Sequence, residues 1–313
     1  MKNVKTTISK NNLQGFGACV VLATQRSGST LLCEHLRNSE HFGRPAEHFW
    51  DHLVSGKTQM SASDFNNAMS DSRLNDVVGL KLMSNYIPTI ARQYSRTNTT
   101  GSTSEHEICS QFLSSFSEAA HGTLFITLKR RDVVSQSISR LMARKTGDWH
   151  KWNNNADNGE QKIAGAVDRK EAISRISPIE IISNVSQIDR ENDFMRLIIK
   201  NLDEPFLQLD YEDLAETPEL VCKKVHDFAG LSAKSVWKAH PMKKVTSTSE
   251  RDQVVAKLSS FLGLDEKPNI EELVAACRIQ IKSGIERDTG LVKPVQKKRY
   301  PWKYFFNNES ALE

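Results

Sequence analysis

Gln25-Arg26-Ser27-Gly28-Ser29-Thr30 packs one permanent cation, three hydroxyls and a glycine into six residues. Hydroxyl donors and a guanidinium on a flexible backbone are what an anion cradle needs. A second group, Lys129-Arg130-Arg131-Asp132, sets three cations in a row ahead of Ser135 and Ser139. Asp132 suits a helix N-cap. The two serines, four residues apart, share a helix face, with Ser139 about 10 Å along the axis. That strip is able to grip a second phosphate. Read alone, it is equally a solvated basic turn with surface serines.

The first group needs a strand and a helix to aim it. Val20-Val21-Leu22-Ala23 suits a buried parallel strand. Leu31, Leu32, His35 and Leu36 fall at helical spacing after the loop. A strand, a tight turn and a helix leave backbone N–H groups without partners, and these bind phosphate or sulfate with help from the positive end of the helix. The competing reading is an ordinary strand-to-helix turn with serine as N-cap. The loop is not a Walker A motif: the G-x-x-x-x-G-K-[ST] spacing is absent and no Lys follows Gly28.

Elements alternate along the rest of the chain. Strands are expected at Cys19–Thr24, Val77–Met83, Thr123–Lys129 and Pro205–Leu209. Helices are expected at Ser29–Asn38, Asp64–Ser72, Glu105–Ala119, Asp132–Lys145, Ser186–Leu202, Pro218–Gly230, Glu250–Leu262 and Asn269–Ser283. This alternation predicts an α/β fold with a central parallel sheet, helices on both faces and ligands at the carboxyl ends of the strands. Ser95–Ser104 and Trp152–Glu160 read as polar loops. The expected organisation is a flexible N-terminus over 1–17, a core over 18–231 and a helical C-terminal extension of the same domain over 232–313.

Composition narrows the function classes. The 313 residues can bury a large core, and 38% hydrophobic against 26% charged residues describes a soluble globular chain. A net charge of +4 suits an anionic small molecule and makes no demand for nucleic acid. No apolar stretch is as long as a membrane span, and residues 1–17 lack the apolar centre of a signal peptide. Five scattered cysteines without a CxxC favour reduced thiols and a cytoplasmic location. His48 and His52 are four apart but lack a third ligand, so no metal site is expected.

The two groups together resemble the signatures of sulfotransferases that use 3′-phosphoadenosine 5′-phosphosulfate (PAPS). In that superfamily the first loop holds the 5′-phosphosulfate. An Arg at a later strand end and a Ser eight residues on hold the 3′-phosphate, which is the spacing of Arg131 and Ser139. Ala23 to Leu32 followed by Gly43-Arg44-Pro45-Ala46-Glu47-His48-Phe49 is similar to the bacterial trehalose 2-sulfotransferase family. So are Gly79 to Met83, the segment from Arg130-Arg131-Asp132 to Trp149, and Tyr211-Glu212-Asp213-Leu214 with the helix ending at Phe228-Ala229-Gly230-Leu231. The likeness runs from about residue 18 to 231.

The resemblance implies a P-loop-like sulfotransferase fold, PAPS as donor, a carbohydrate or glycolipid acceptor and a homodimer. It places Arg26, Ser27, Gly28, Ser29 and Thr30 on the 5′-phosphosulfate, Arg131 and Ser139 on the 3′-phosphate, and Tyr211 near the adenine; Arg130, from the same basic run, is expected beside the second phosphate. Tyr211 packing beneath the sheet is the alternative. Glu47 corresponds to the family's general base, with His48 in reserve and Lys81 able to help the transferring sulfuryl group. Two other functions stay open at this stage: a P-loop-type nucleotide kinase, and a non-catalytic protein that binds a nucleotide or an anionic sugar.

Overall fold

A computed structural model describes residues 15–98, 104–149, 167–202, 204–231, 247–265 and 268–287. The first strand, β1 (Ala18–Ala23), is buried at all six positions. Alternate residues of a strand face opposite ways, so both faces of the sheet are covered there. After it come α1 (Ser29–Asn38), α2 (Trp50–Val54), α3 (Ala62–Asp71), β2 (Arg73–Leu74), β3 (Val77–Met83), α4 (Ile87–Asn98), α5 (Glu105–Ala120), β4 (Thr123–Lys129) and α6 (Val133–Thr146). The order continues with α7 (Arg169–Ser174), α8 (Pro178–Lys200), β5 (Phe206–Asp210), α9 (Tyr211–Glu216), α10 (Pro218–Phe228), α11 (Thr248–Leu262) and α12 (Ile270–Arg287).

The five strands form one sheet in the order β2-β3-β1-β4-β5. The pairs β3–β1, β1–β4 and β4–β5 are parallel, as expected, but the two-residue β2 runs antiparallel to β3. Such a short strand carries too few side chains for a periodic signal. Ala23 of β1 lies beside Met83 of β3 and Leu128 of β4. Three strands therefore end level, and the loops after them share one rim.

Two apolar cores divide the molecule. One surrounds the sheet. The other joins α6, α7, α8, α11 and α12 through residues such as Ile138, Ile173, Val185, Leu258 and Leu273. Arg169 at the start of α7 is bidentate to Glu250 of α11, 2.8 Å on each oxygen, which ties the C-terminal helices to this second core. Helix α6 touches both regions and is buried along nearly its whole length despite the run Ser135-Gln136-Ser137-Ile138-Ser139-Arg140. A helix that polar can be buried only if each polar side chain has a job.

Several boundaries differ from expectation. Helix α8 starts at Pro178, two turns before Ser186, because Ser177 and Glu180 form a reciprocal capping box. Helix α4 runs into the segment read as a loop at Ser95–Ser104 and ends at Asn98, and Ser104 caps α5 in the same reciprocal way with Glu107. The expected polar loop at Trp152–Glu160 lies outside the described residues.

Candidate active site

The loop between β1 and α1 turns on two left-handed residues, Arg26 at φ 65° and Gly28 at φ 91°. Gly28 is the N-cap of α1, and no side chain caps the helix, so a serine N-cap is not what fills this end. The first N–H groups of α1 are left to a ligand. Ser27 Oγ is buried with no partner. A Cβ on Gly28 would stand 2.3 Å from Tyr211 Cδ2. Gly28→Ala should therefore push the Tyr211 ring away and strain the loop, costing at least the ~1–2 kcal/mol of a left-handed non-glycine residue. Thermal melting checks this; an unchanged midpoint would contradict the contact.

Tyr211 opens α9 directly after β5. Its ring lies against Gly28, with the Arg130 guanidinium stacked 4.7 Å from the ring centroid. The ring therefore sits at the rim of the β1–α1 loop.

Arg26 reaches across to α6. Its Nε donates to Ser139 Oγ at 3.1 Å, and its Nη1 donates to the Trp149 carbonyl. Burial, and then the nearby Arg130 charge, bring the Arg26 guanidinium down from 12.5 to about 10, with Tyr211 opposing the change. It stays charged at neutral pH. No carboxylate among the described residues pairs with Arg26 or Arg130, and Arg130 Nε is buried with no hydrogen-bond partner. Two neighbouring like charges, one with an unused buried donor, call for an anion between or beside them.

The other two cations of the basic run behave differently. Register pairs Lys129 with Asp210 across β4 and β5. Lys129 Nζ lies 3.7 Å from Asp210. Arg131 contacts Asp213 at 2.9 Å, Glu212 at 3.5 Å and Asp210 at 4.0 Å. Glu212 also accepts from the backbone N–H groups of Arg131 and Asp132. The expected strip of three free cations is thus a single one, Arg130, because β5 delivers the acidic Asp210–Asp213 segment beside the other two. Arg131 and Ser139, paired by the resemblance through their spacing, have different partners. Ser139 accepts from Arg26, and Ser135 accepts from Arg251 Nε of α11 at 2.5 Å. Asp132 does cap α6, accepting from Ser135 N at 2.8 Å. A cavity of about 530 Å³ opens between Arg131, Asp132, Glu212 and the α12 residues Ile270, Glu271, Val274, Ala275 and Arg278.

Glu47 stands on the opposite side of the loop. The chain after α1 crosses the edge of β3, where Arg44 N donates to Ser72 O at 2.8 Å and Lys81 N to Ala46 O at 2.9 Å. A Cβ on Gly79 would meet Arg44 N and Phe42 O at 2.5 Å, so only glycine admits this crossing. The crossing delivers Glu47 to Lys81. Lys81 Nζ lies 2.8 Å from Glu47 Oε1 and donates to Thr30 Oγ1 at 3.3 Å. Lys81 is almost wholly buried, whereas the Glu47 side chain is 28% exposed. Tyr86, fully buried, donates to the Lys81 carbonyl at 3.1 Å. Burial, and then the Glu47 charge, raise its phenol well above the ordinary value, so it stays protonated. Burial likewise pushes the Cys33 thiol up to about 12, which keeps it neutral beside this pair.

His48 turns away, its Nε2 2.8 Å from the Arg44 carbonyl. His52 lies 3.7 Å from Asp64 instead of facing His48. Sequence spacing also passed over Gln136, Tyr86, Arg140, Glu191 and Arg251. For Gln136 a signal existed, since it precedes Ser139 by three residues on the same face of α6. Arg251 had none: its approach to Ser135 depends on how α11 docks.

The chain matches the Stf0 sulphotransferase family model over residues 18–258, which takes in both strand-end loops, Glu47 and α11 as far as Leu258. The chain belongs to the Stf0 sulphotransferase family. It is accordingly an α/β sulfotransferase enzyme. A sulfotransferase from Alicyclobacillus acidocaldarius superimposes with a TM-score of 0.42 at 14% identity, covering 79% of this chain and 96% of its own. The sulfotransferase domain of the curacin biosynthetic pathway gives 0.39 at 15%, covering 85% and 97%. That of the Synechococcus PCC 7002 olefin synthase gives 0.39 at 13%, covering 84% and 94%. No curated protein matches the chain.

Proposed function

We propose that this Stf0 sulfotransferase moves a sulfuryl group from PAPS to a hydroxyl of a carbohydrate or glycolipid acceptor, with Glu47 as general base. The observation that carries the reading is the Lys81 ammonium, which spans Thr30 of the phosphate loop and the Glu47 carboxylate. That link sets a base beside the place where the transferring group would lie.

Each residue then has a role. The open N–H groups at the start of α1, with Ser27 and Thr30, hold the 5′-phosphosulfate. Arg26 stabilises the charge that grows on the leaving phosphate as the S–O bond to it breaks. Glu47 takes the acceptor proton as the acceptor oxygen bonds to sulfur. Lys81 neutralises the sulfuryl oxygens. By analogy with phosphoryl transfer, positioning and charge stabilisation do most of the work. Arg130 and Ser139 are the proposed 3′-phosphate ligands, with the Tyr211 ring beside them. Arg131 would have to leave three carboxylates to join them. Five buried free cysteines support a reducing, cytoplasmic setting. A homodimer is the expected assembly.

Adenosine 3′,5′-bisphosphate tests the donor. It should raise the melting temperature more than ATP with Mg²⁺ does, since a ligand of the native state stabilises it. No shift at millimolar bisphosphate would sink the PAPS reading. Arg130→Ala should weaken bisphosphate binding by about tenfold, the loss of one charged hydrogen bond. Arg131→Ala should weaken it less; the reverse order would return the 3′-phosphate to Arg131.

A further inference from the structure

Gln136 is fully buried against the phosphate loop. From α6 its Nε2 donates to Thr24 Oγ1 at 2.7 Å and to the Gln25 carbonyl at 2.8 Å. A carbonyl only accepts, so the amide must present its NH2 there. Its own oxygen is buried with no partner. An orphaned oxygen is a cost, and a residue selected for packing alone would not carry it.

The Gln25 carbonyl belongs to the peptide plane that precedes Arg26. Rotation of that plane changes the φ of Arg26, which stands at 65°. A non-glycine residue keeps the left-handed conformation only where its surroundings over-determine it. One turn along α6, Ser139 accepts from Arg26 Nε. Positions 136 and 139 share a helix face. One helix therefore grips both the backbone ahead of Arg26 and its guanidinium.

We propose that Gln136 is a positioning residue for sulfuryl transfer: it locks the Gln25–Arg26 peptide so that the Arg26 guanidinium faces the donor. The catalytic consequence rests on the PAPS reading above; the locking of the loop does not.

Gln136→Met removes both donors at similar volume. In the nucleotide-free protein, amide hydrogen exchange at Ser27, whose N–H donates to the Thr24 carbonyl, should quicken by about tenfold while β3 and β4 keep their protection. Unchanged exchange in the loop overturns the proposal. In turnover, the donor KM should rise by about tenfold with the acceptor KM unchanged. In an Arg26→Ala background, Gln136→Met should change the donor KM by less than about twofold, because its effect passes through Arg26. Full additivity would make Gln136 a packing residue and overturn the role. Gln136→Asn, whose shorter amide cannot reach the loop, should give the same exchange result if the Met variant fails to fold. If the wild-type protein does not bind the bisphosphate, the donor reading falls and the exchange result alone judges Gln136.

Discussion

Replacing Glu47 with Gln should lower kcat by ~10²–10⁴, the range a positioned general base supplies. The change is nearly isosteric, and the amide oxygen can still accept from Lys81, which lies 2.8 Å from Oε1 in the native pair. The loop, its open N–H groups and Arg26 are untouched, so bisphosphate binding should hold. Sulfate transfer from labelled PAPS to a panel of sugars reads the effect. Full activity in the variant would remove Glu47 as the base. His48→Asn is the matched control. The His48 ring is engaged with the Arg44 carbonyl, so most activity should survive. A collapse there, with Glu47→Gln active, would exchange the two roles.

The second large effect is on stability. Arg140 is wholly buried and bidentate to Glu191, at 2.7 and 3.1 Å. Glu191 also accepts from Ser84 at 3.0 Å and Gln187 at 3.0 Å. Ser84 follows β3, and its N–H donates to Ala23 O at the end of β1. The network therefore joins α6 and α8 to the rim on which the site is built. Arg140→Met would strand a carboxylate in the interior, and breaking such a pair costs ~3–5 kcal/mol. In a chain of this size that lowers the melting temperature by roughly 10 °C. The double change Arg140→Met with Glu191→Leu should recover most of the loss, since a buried ion pair is worth little over well-packed apolar groups. A double variant no better than the single one would assign the cost to shape instead of charge.

What could be read along the chain was what depends on near neighbours. Val77–Met83, Thr123–Lys129 and Ser29–Asn38 have the bounds expected of them. Continuous apolar runs and a regular helical face signal themselves within a few residues. The cap of α8 is written in Ser177 and Glu180, and Ile181, Ile182 and Val185 carry its buried face through the turns before Ser186, so the signal for the earlier start lies in the sequence although the expected start is Ser186. Tyr211 is legible as the residue that follows a strand, but its place against Gly28 is not.

The sequence by itself determined the order of strands and helices, a strand–turn–helix loop without a Walker lysine, and the motifs that mark a sulfotransferase. Those follow from residue types over short spans. The tertiary structure decided which charges are free to act. Lys129 and Arg131 are neutralised because parallel pairing of β4 with β5 brings Asp210, Glu212 and Asp213 beside them. Arg26 and Arg130 are not: Arg26 meets Ser139 of α6 and the Trp149 carbonyl, and Arg130 meets the Tyr211 ring of α9. Glu47 reaches Lys81 only because the chain crosses the edge of β3 at Gly79. Charge falls off over ångströms in space, not residues in sequence, so the partners of each group had to wait for the fold.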